Sequence, residues 1–244
     1  SGLFFFFVLF ALFVLRPFRN TIAADIGTAD LTFYLFIIVF VMLLVNPIYS
    51  YVVSRINQRK VVTYIYGFFI FNLLIFLGFY VYFPELFFVK TIFYVWYNVF
   101  NFFIVAIFWA LTVNSFDIEG GKKYFGLISA FGSIGAAGGG LIVNSYLYDK
   151  EELALVFTLI SLCLAVFFAS CVKRNGKEMQ IKTKNYLEDS FEQFVHIKKN
   201  PIIRSFLLYT FVWTCLSTAL WFFQLEIVNA YASTSEEKTK VFGQ

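Results

Sequence analysis

The stretch "SGLFFFFVLFALFVLRPFRN", residues 1–20, decides the fold class of this chain. It is uncharged up to Leu15, and then Arg16 and Arg19 follow on either side of Pro17. No basic segment precedes the apolar run and no small-residue cleavage site follows it, so we interpret it as a membrane-spanning helix that has lost its start rather than a signal peptide. A charge beside hydrocarbon is costly, so the two arginines lie either at the water boundary or against a compensating group.

The composition of the whole chain is typical of a membrane protein. Hydrophobic residues make up 60% and charged residues only 14%, which leaves too few polar groups to cover a soluble domain of this length. The three cysteines lie in apolar runs without metal-ligand spacing, and His196 is the single histidine. Because no catalytic or metal motif appears either, the sequence predicts no enzyme, no cofactor and no bound metal.

Seven segments are long and apolar enough to cross a bilayer, which takes about 20 residues. The predicted spans are residues 2–19, 31–53, 61–83, 89–113, 125–147, 153–172 and 203–227. The sequence therefore predicts an all-α polytopic membrane protein.

Lysine and arginine are unevenly distributed among the connections between these spans. Thirteen lie on the side that holds the second, fourth and sixth connections, and six lie on the opposite side. Since cationic loops stay in the cytoplasm, we expect a multi-pass protein of the cell inner (plasma) membrane with a cytoplasmic N-terminus. The end of the first helix then lies on the outer side.

The sixth connection, residues 173–200, is the longest, and it is polar and basic. Its apolar residues recur at helical spacing, a pattern that suits an amphipathic helix on the inner leaflet and a short solvated helix equally well. It divides the chain into a six-helix bundle over 1–172, a linker over 173–200, and a seventh helix with its outer loop over 201–244. This layout resembles the N-terminal half and first C-terminal helix of the twelve-helix major facilitator transporters.

Two pairs of charged or polar positions are candidate solute contacts. Arg16 and Arg19 are three residues apart and share a helix face, where they either reach lipid head groups or bind a phosphate or carboxylate. Gln224 and Glu226 end the seventh span at the same outer level. We predict that Glu226 pairs with one of the two arginines when the outer mouth is closed.

The fourth span carries amides among its aromatic residues. Asn98 and Asn101 share one helix face, and Trp109 lies near it. Amides at this depth most often bond to a neighbouring helix. The alternative is that the two amides line a solute cavity, with the Trp109 indole as a stacking surface.

The fifth span reads "FGLISAFGSIGAAGGGLIV" and is rich in small residues. Gly135 and Gly139 form a G-x-x-x-G pattern, which lets two helix backbones approach closely in lipid. Together with Gly126 they resemble the start of the glycine motif in the fifth helix of major facilitators. The pattern indicates either ordinary tight packing or a seam on which the two halves rock.

The connection "PIYSYVVSRINQRK", residues 47–60, holds Arg55, Arg59 and Lys60. Major facilitators keep a basic motif at this place that holds the halves together at the cytoplasmic face. The three cations match that motif, whereas its usual Gly and Asp are absent here. Anchoring to the cytoplasmic side alone accounts for the charges almost as well.

Three segments, "LRPFRNTI", "GGKKYFGLISAFGSIGA" and "LSTALWFFQLEIV", resemble a bacterial group of major facilitator-type proteins. That group is related to the ATP/ADP, or NTP/NDP, exchange translocases of plastids and intracellular bacteria. The resemblance implies the same fold, and it places Arg16 and Arg19 at the phosphates if a nucleotide is the solute. Nucleotide exchangers carry further cations in their helices, and the sequence identifies no buried Lys or Arg in spans two to six.

These patterns favour a secondary transporter that moves a small anionic solute, such as ATP and ADP in exchange, by alternating access. We expect the lipid bilayer and the solute as partners, no nucleic acid, and a monomeric full-length protein. The alternatives are a proton-coupled exporter of drugs or metabolites with the same fold, and a membrane scaffold that transports nothing. Proton coupling needs an acid within the membrane, and Glu226 is the one candidate in the predicted spans.

Overall fold

The fold was obtained as a computed structural model that describes residues 1–55, 58–83, 86–116, 118–171 and 200–244. These residues form helices and no strands. The helices are α1 (Gly2–Ile26), α2 (Thr28–Arg55), α3 (Gln58–Tyr82), α4 (Phe87–Ser115), α5 (Ile118–Ile142), α6 (Glu151–Ser170), α7 (Pro201–Tyr231) and the short α8 (Ser235–Phe242), with a π-helical turn at Val143–Leu147 after α5. Within the described residues, α1 to α7 are long and apolar enough to cross a membrane, which confirms the predicted helical membrane architecture at this level.

Helix α1 is longer than the sequence predicts, and this moves the two arginines into its interior. It continues through Pro17 and ends only before Gly27. Gly27 has a φ of 83°, a backbone conformation that favours glycine, and α2 begins at the next residue. The residues that follow Arg19 stay helical because one buried run, Asn20 to Ala24, packs against the neighbouring helices. The predicted end of the span at residue 19 is therefore wrong by about two turns.

Helix α1 is the central element of the described structure. It makes its most extensive contacts with α5 and α6, and it also contacts α2, α4, α7 and α8. Its backbone accepts hydrogen bonds from α4 and α6: Tyr97 Oη donates to the Leu12 carbonyl at 2.8 Å, and Ser161 Oγ donates to the Phe7 carbonyl at 2.7 Å. These bonds fix the rotation of α1 relative to α4 and α6.

The close approach of α1 and α5 depends on glycines. A Cβ added at Gly135 would collide with the Phe6 carbonyl oxygen, and one added at Gly139 would lie 2.8 Å from the Phe10 carbonyl oxygen. Gly126, by contrast, faces open space. The structure therefore places the G-x-x-x-G pattern at a seam within the six-helix bundle, between α5 and α1.

Aromatic rings fill the rest of the core between α1, α3 and α4. Phe5 stacks on Phe108 with ring centroids 4.1 Å apart, and Trp96 stacks on Phe100 at 4.9 Å. Rings offer large contact areas with little conformational entropy to lose. Helix α7 differs from the others because most of its side chains are exposed, and it contacts the bundle mainly through its last three turns.

Candidate functional site

The candidate site is centred on Arg19, in the interior of α1. At a rise of 1.5 Å per residue, Arg19 lies about 10 Å and Arg16 about 15 Å from the last residue of the helix, Ile26. Neither arginine is therefore at the end of the helix, where a long side chain would reach head groups directly.

Two amide oxygens hold the guanidinium of Arg19. Nη1 donates to Asn20 Oδ1 at 2.7 Å, and Nη2 donates to Asn98 Oδ1 at 3.0 Å. The Asn98 amide is oriented in turn, since its Nδ2 donates to the Tyr94 carbonyl at 2.8 Å. Arg19 Nε is buried and has no hydrogen-bond partner. The guanidinium is thus fixed in place, and its buried Nε–H has no acceptor.

Three aromatic rings surround the same guanidinium. Its central carbon lies 4.9 Å from the ring centre of Trp221, 5.7 Å from that of Tyr94 and 5.8 Å from that of Tyr97. Trp221 belongs to α7, and its Nε1 donates to Asn20 Oδ1 at 3.3 Å. The faces of the rings attract the cation, so α1, α4 and α7 meet around Arg19.

No carboxylate among the described residues forms an ion pair with Arg19. The ion pairs among the described residues are Lys90–Glu151, Lys150–Asp149 and Lys238–Asp25, and none of them involves either arginine. Amide oxygens and ring faces stabilise a cation without cancelling its net charge. The site therefore keeps a net positive charge, to which a phosphate or carboxylate group can bind.

Arg16 does not share this enclosure. Its side chain is exposed, and its guanidinium lies over the ring of Phe13 at 5.0 Å. The two arginines face roughly the same side of α1, as their spacing predicts, but only Arg19 is held by polar partners from another helix.

The other predicted solute contacts lie away from Arg19. Asn101 is exposed, one turn along α4 from Asn98, which is the amide that binds the guanidinium. Trp109 packs edge-on against Phe5 and Phe125, and Phe5 is about 21 Å from Arg19 along α1. The structure thus brings Asn98 to the site and leaves Asn101 and Trp109 outside it.

Gln224 and Glu226 are exposed on α7. Glu226 Oε1 accepts a hydrogen bond from Thr28 Oγ1 at 3.3 Å, at the start of α2. The predicted pair between Glu226 and Arg16 or Arg19 is absent from this structure. The salt bridge that joins α1 to the chain beyond α7 is instead formed by Asp25 Oδ1 and Lys238 Nζ, which are 2.7 Å apart.

The predicted basic connection, residues 47–60, is largely helical. Helix α2 runs through Pro47 to Arg55, and α3 begins at Gln58. The side chains of Arg55 and Arg59 lie outside the described part of the chain, whereas Lys60 is exposed. The linker predicted over 173–200 also lies outside it, except for Asn200, which caps α7 by accepting a hydrogen bond from the Ile202 backbone N–H at 3.0 Å.

Sequence reasoning missed four members of the site, namely Asn20, Tyr94, Tyr97 and Trp221. One of them carried a usable signal, because Tyr94 lies four positions before Asn98 and so shares its helix face. The part played by Trp221 depends on how α7 meets α1, which no local pattern indicates. No group of side chains suited to a metal ion occurs among the described residues.

Comparison with protein-family models, with curated proteins and with solved structures gives no match for this chain.

Proposed function

We propose that this chain is part of a secondary active transporter for a small anionic solute, and that Arg19 is the group that binds the anion. The observation that carries this proposal is the guanidinium held between α1, α4 and α7 by two amide oxygens, with no carboxylate among the described residues to balance it. Charges inside membrane-spanning segments are expensive and usually mark a solute or ion pathway.

The arrangement of helices supports alternating access as the mechanism. Arg19 lies where the six-helix bundle meets α7, the helix that begins the second half in the layout of a major facilitator. A solute bound there contacts both halves, so its binding energy can bias their relative position. The fold resemblance, the inner-membrane location and the cytoplasmic N-terminus belong to this proposal.

Arg16 adds a second positive charge near the site. Two guanidiniums can bind one phosphate or carboxylate group through several donors. Nucleotide exchange is the form of anion transport that the sequence resemblance implies, with the phosphates of ATP or ADP near Arg16 and Arg19. A phosphate group also supplies the acceptor that the unused Nε–H of Arg19 requires.

The alternatives differ from this proposal in what they require of the arginines. A proton-coupled exporter needs a titratable acid inside the membrane, but Glu226 is exposed and bound to Thr28, and Asp25 is paired with Lys238. A scaffold that transports nothing tolerates the loss of Arg19. A scaffold therefore gives no anion uptake in any variant, and an exporter that depends on an acid gives transport that does not depend on Arg19.

The decisive experiment is uptake into proteoliposomes that contain the purified protein. Labelled ATP, phosphate and succinate are offered separately, with and without an excess of unlabelled competitor. For the anion that is taken up, we expect Arg19→Ala to lower the initial rate at limiting concentration about 100-fold, the effect of removing one partner of a buried charge pair. Arg19→Lys keeps the charge but loses the two hydrogen bonds to the amide oxygens of Asn20 and Asn98. We therefore expect an intermediate rate.

The matched control is Arg204→Gln, which removes an exposed cation from the first turn of α7. We expect its uptake to equal that of the wild type. Uptake by Arg19→Ala at the wild-type rate contradicts the proposal.

A further inference from the structure

The short helix α8, Ser235–Phe242, packs against α1, at the end of that helix beyond Arg19, and against the π-helical turn after α5. It begins with a capping box, in which Thr234 Oγ1 accepts from the Glu237 N–H at 3.2 Å and the Glu237 carboxylate accepts from the Thr234 N–H at 3.4 Å. Such a cap satisfies backbone N–H groups at the start of this two-turn helix. Helix α8 is thus a separate unit, joined to α7 through residues 232–234.

One side of α8 is bound to the last two turns of α1. Lys238 Nζ contacts Asp25 Oδ1 at 2.7 Å, and Ser235 Oγ donates to Asp25 Oδ2 at 3.0 Å. Deeper in, the hydroxyls of Thr21 and Thr239 are 2.7 Å apart and buried. Thr21 is two residues beyond Arg19, so this contact lies about 3 Å further along the helix axis than the anion site.

The other side of α8 reaches the end of α5 and its π-helical turn. A Cβ added at Gly140 would lie 3.0 Å from the Gly243 carbonyl oxygen, so the two backbones nearly touch. Lys240 lies over the ring of Tyr148 at 5.2 Å. Helix α8 therefore contacts both α1 and the π-helical turn that follows α5.

The contacts that hold α8 are mainly polar. Thr239 is its one buried residue, and Phe242 is partly buried. By contrast, α1 is held in the bundle by a continuous aromatic core and by glycine contacts with α5. When two elements separate, polar contacts of this kind are replaced by hydrogen bonds to water at little net cost in free energy. The free energy gained by burying apolar surface is not replaced in this way.

We infer that α8 is a releasable lid over the Arg19 site, latched by Asp25 and Lys238 and sealed underneath by Thr21 and Thr239. The opening of α8 depends on these contacts alone and requires no solute. Its role in gating the solute rests on the proposed transport function, with α8 at the outer face if the charge distribution sets the orientation. Closing the lid separates the anion site from water at this end of the protein.

The first test measures opening without reference to any solute. Cys163, Cys171 and Cys215 are replaced by Ser, Thr239→Cys is introduced, and the protein is placed in lipid nanodiscs so that both faces meet a charged maleimide. In the latched protein, Cys at position 239 is sheltered and we expect slow labelling. Asp25→Asn and Lys238→Gln each remove the charged contact, and we expect labelling to become about tenfold faster.

The control and the rescue use the same background. Asp30→Asn removes an exposed carboxylate at the start of α2, and we expect no change in rate. The exchanged pair Asp25→Lys with Lys238→Asp restores the contact, and we expect it to return labelling towards the slow rate. Equal rates in Asp25→Asn, Lys238→Gln and Asp30→Asn overturn the lid, and so does an exchanged pair that labels as fast as the single variants.

The second test asks whether opening is needed for transport. Thr21→Cys with Thr239→Cys places two thiols at a contact that is 2.7 Å between hydroxyls in the wild type, and oxidation closes the lid covalently. In proteoliposomes, we expect oxidation to stop uptake of labelled ATP, phosphate or succinate, whichever is transported, and reduction to restore it. Uptake that continues in the oxidised, cross-linked protein overturns the gating role. Absence of uptake in the wild type is a failure of the proposed function instead, and the labelling result then decides the lid alone.

Discussion

At the scale of single residues, the site depends on a cation whose partners are neutral. Asn20 and Asn98 accept from Arg19 at 2.7 and 3.0 Å, and Trp221 links the same network to α7. A carboxylate in either position would give a stronger contact with Arg19. It would also cancel the charge that an anion needs, so the neutral amides are better suited to a binding site than to a structural ion pair.

This reasoning predicts opposite consequences for two substitutions of Asn98. Asn98→Asp has nearly the same shape but places a negative charge about 3 Å from Arg19 Nη2. With an effective dielectric constant of about 20, a contact at that distance is strong enough to lower anion affinity by a factor of about 100 or more. Asn98→Ala removes a hydrogen bond while leaving the charge, so we expect only about a fivefold loss.

The measurement is the concentration dependence of initial uptake for both variants. The size-exclusion profile of each variant in detergent serves as the control for folding. If Asn98→Asp and Asn98→Ala reduce affinity to the same extent, the amide is needed for position alone, and the uncompensated charge of Arg19 is not what binds the solute.

At the scale of helices, the sequence predicts which segments are helical better than it predicts where each helix ends. Seven apolar runs correspond to the seven long helices of the described residues, since a long run of apolar residues can satisfy its backbone in lipid only as a helix. The end of α1 was misplaced because Asn20, Thr21 and Asp25 look like a loop in isolation. They are helical because α7 and α8 supply their polar partners.

The G-x-x-x-G seam of α5 gives a prediction about stability. In Gly135→Ala the new methyl group meets the Phe6 carbonyl oxygen of α1, and backbone atoms cannot move aside as a flexible side chain can. We expect α1 and α5 to separate locally, with a loss of about 2 kcal/mol in unfolding free energy, typical of overpacking a close contact. Gly126→Ala in the same helix meets open space and is the matched control.

Thermal unfolding in detergent, followed by the loss of the monodisperse size-exclusion peak, compares the two variants. We expect a clearly lower midpoint for Gly135→Ala and a midpoint close to wild type for Gly126→Ala. Equal midpoints would mean that the two backbones are not in direct contact at position 135.

At the scale of the whole molecule, the site forms where distant parts of the chain meet. Helices α2 to α6 lie between Arg19 and Trp221 in the sequence. The central guanidinium carbon of Arg19 is nevertheless only 4.9 Å from the ring centre of Trp221. Hydropathy predicts which segments are helices, and charge counts predict which ends share a side. Neither fixes the rotation of α4 about its axis, so the sequence favours Asn101 as a solute contact, whereas the structure places Asn98 beside Arg19.

The orientation of the molecule is the last property that the charges predict, and the arrangement of helix ends makes it testable. The contacts Lys90–Glu151 and Asp25–Lys238 involve the starts of α4 and α6, the end of α1 and helix α8, all of which lie on the side with fewer cations. In the cysteine-free background, single variants Lys150→Cys and Lys60→Cys place thiols at exposed positions on opposite sides. In intact cells, we expect an impermeant maleimide to label Cys at position 150 and to reach Cys at position 60 only after the membrane is permeabilised. The reverse result would place the cation-rich connections outside, so that α8 would close the site from the cytoplasm instead.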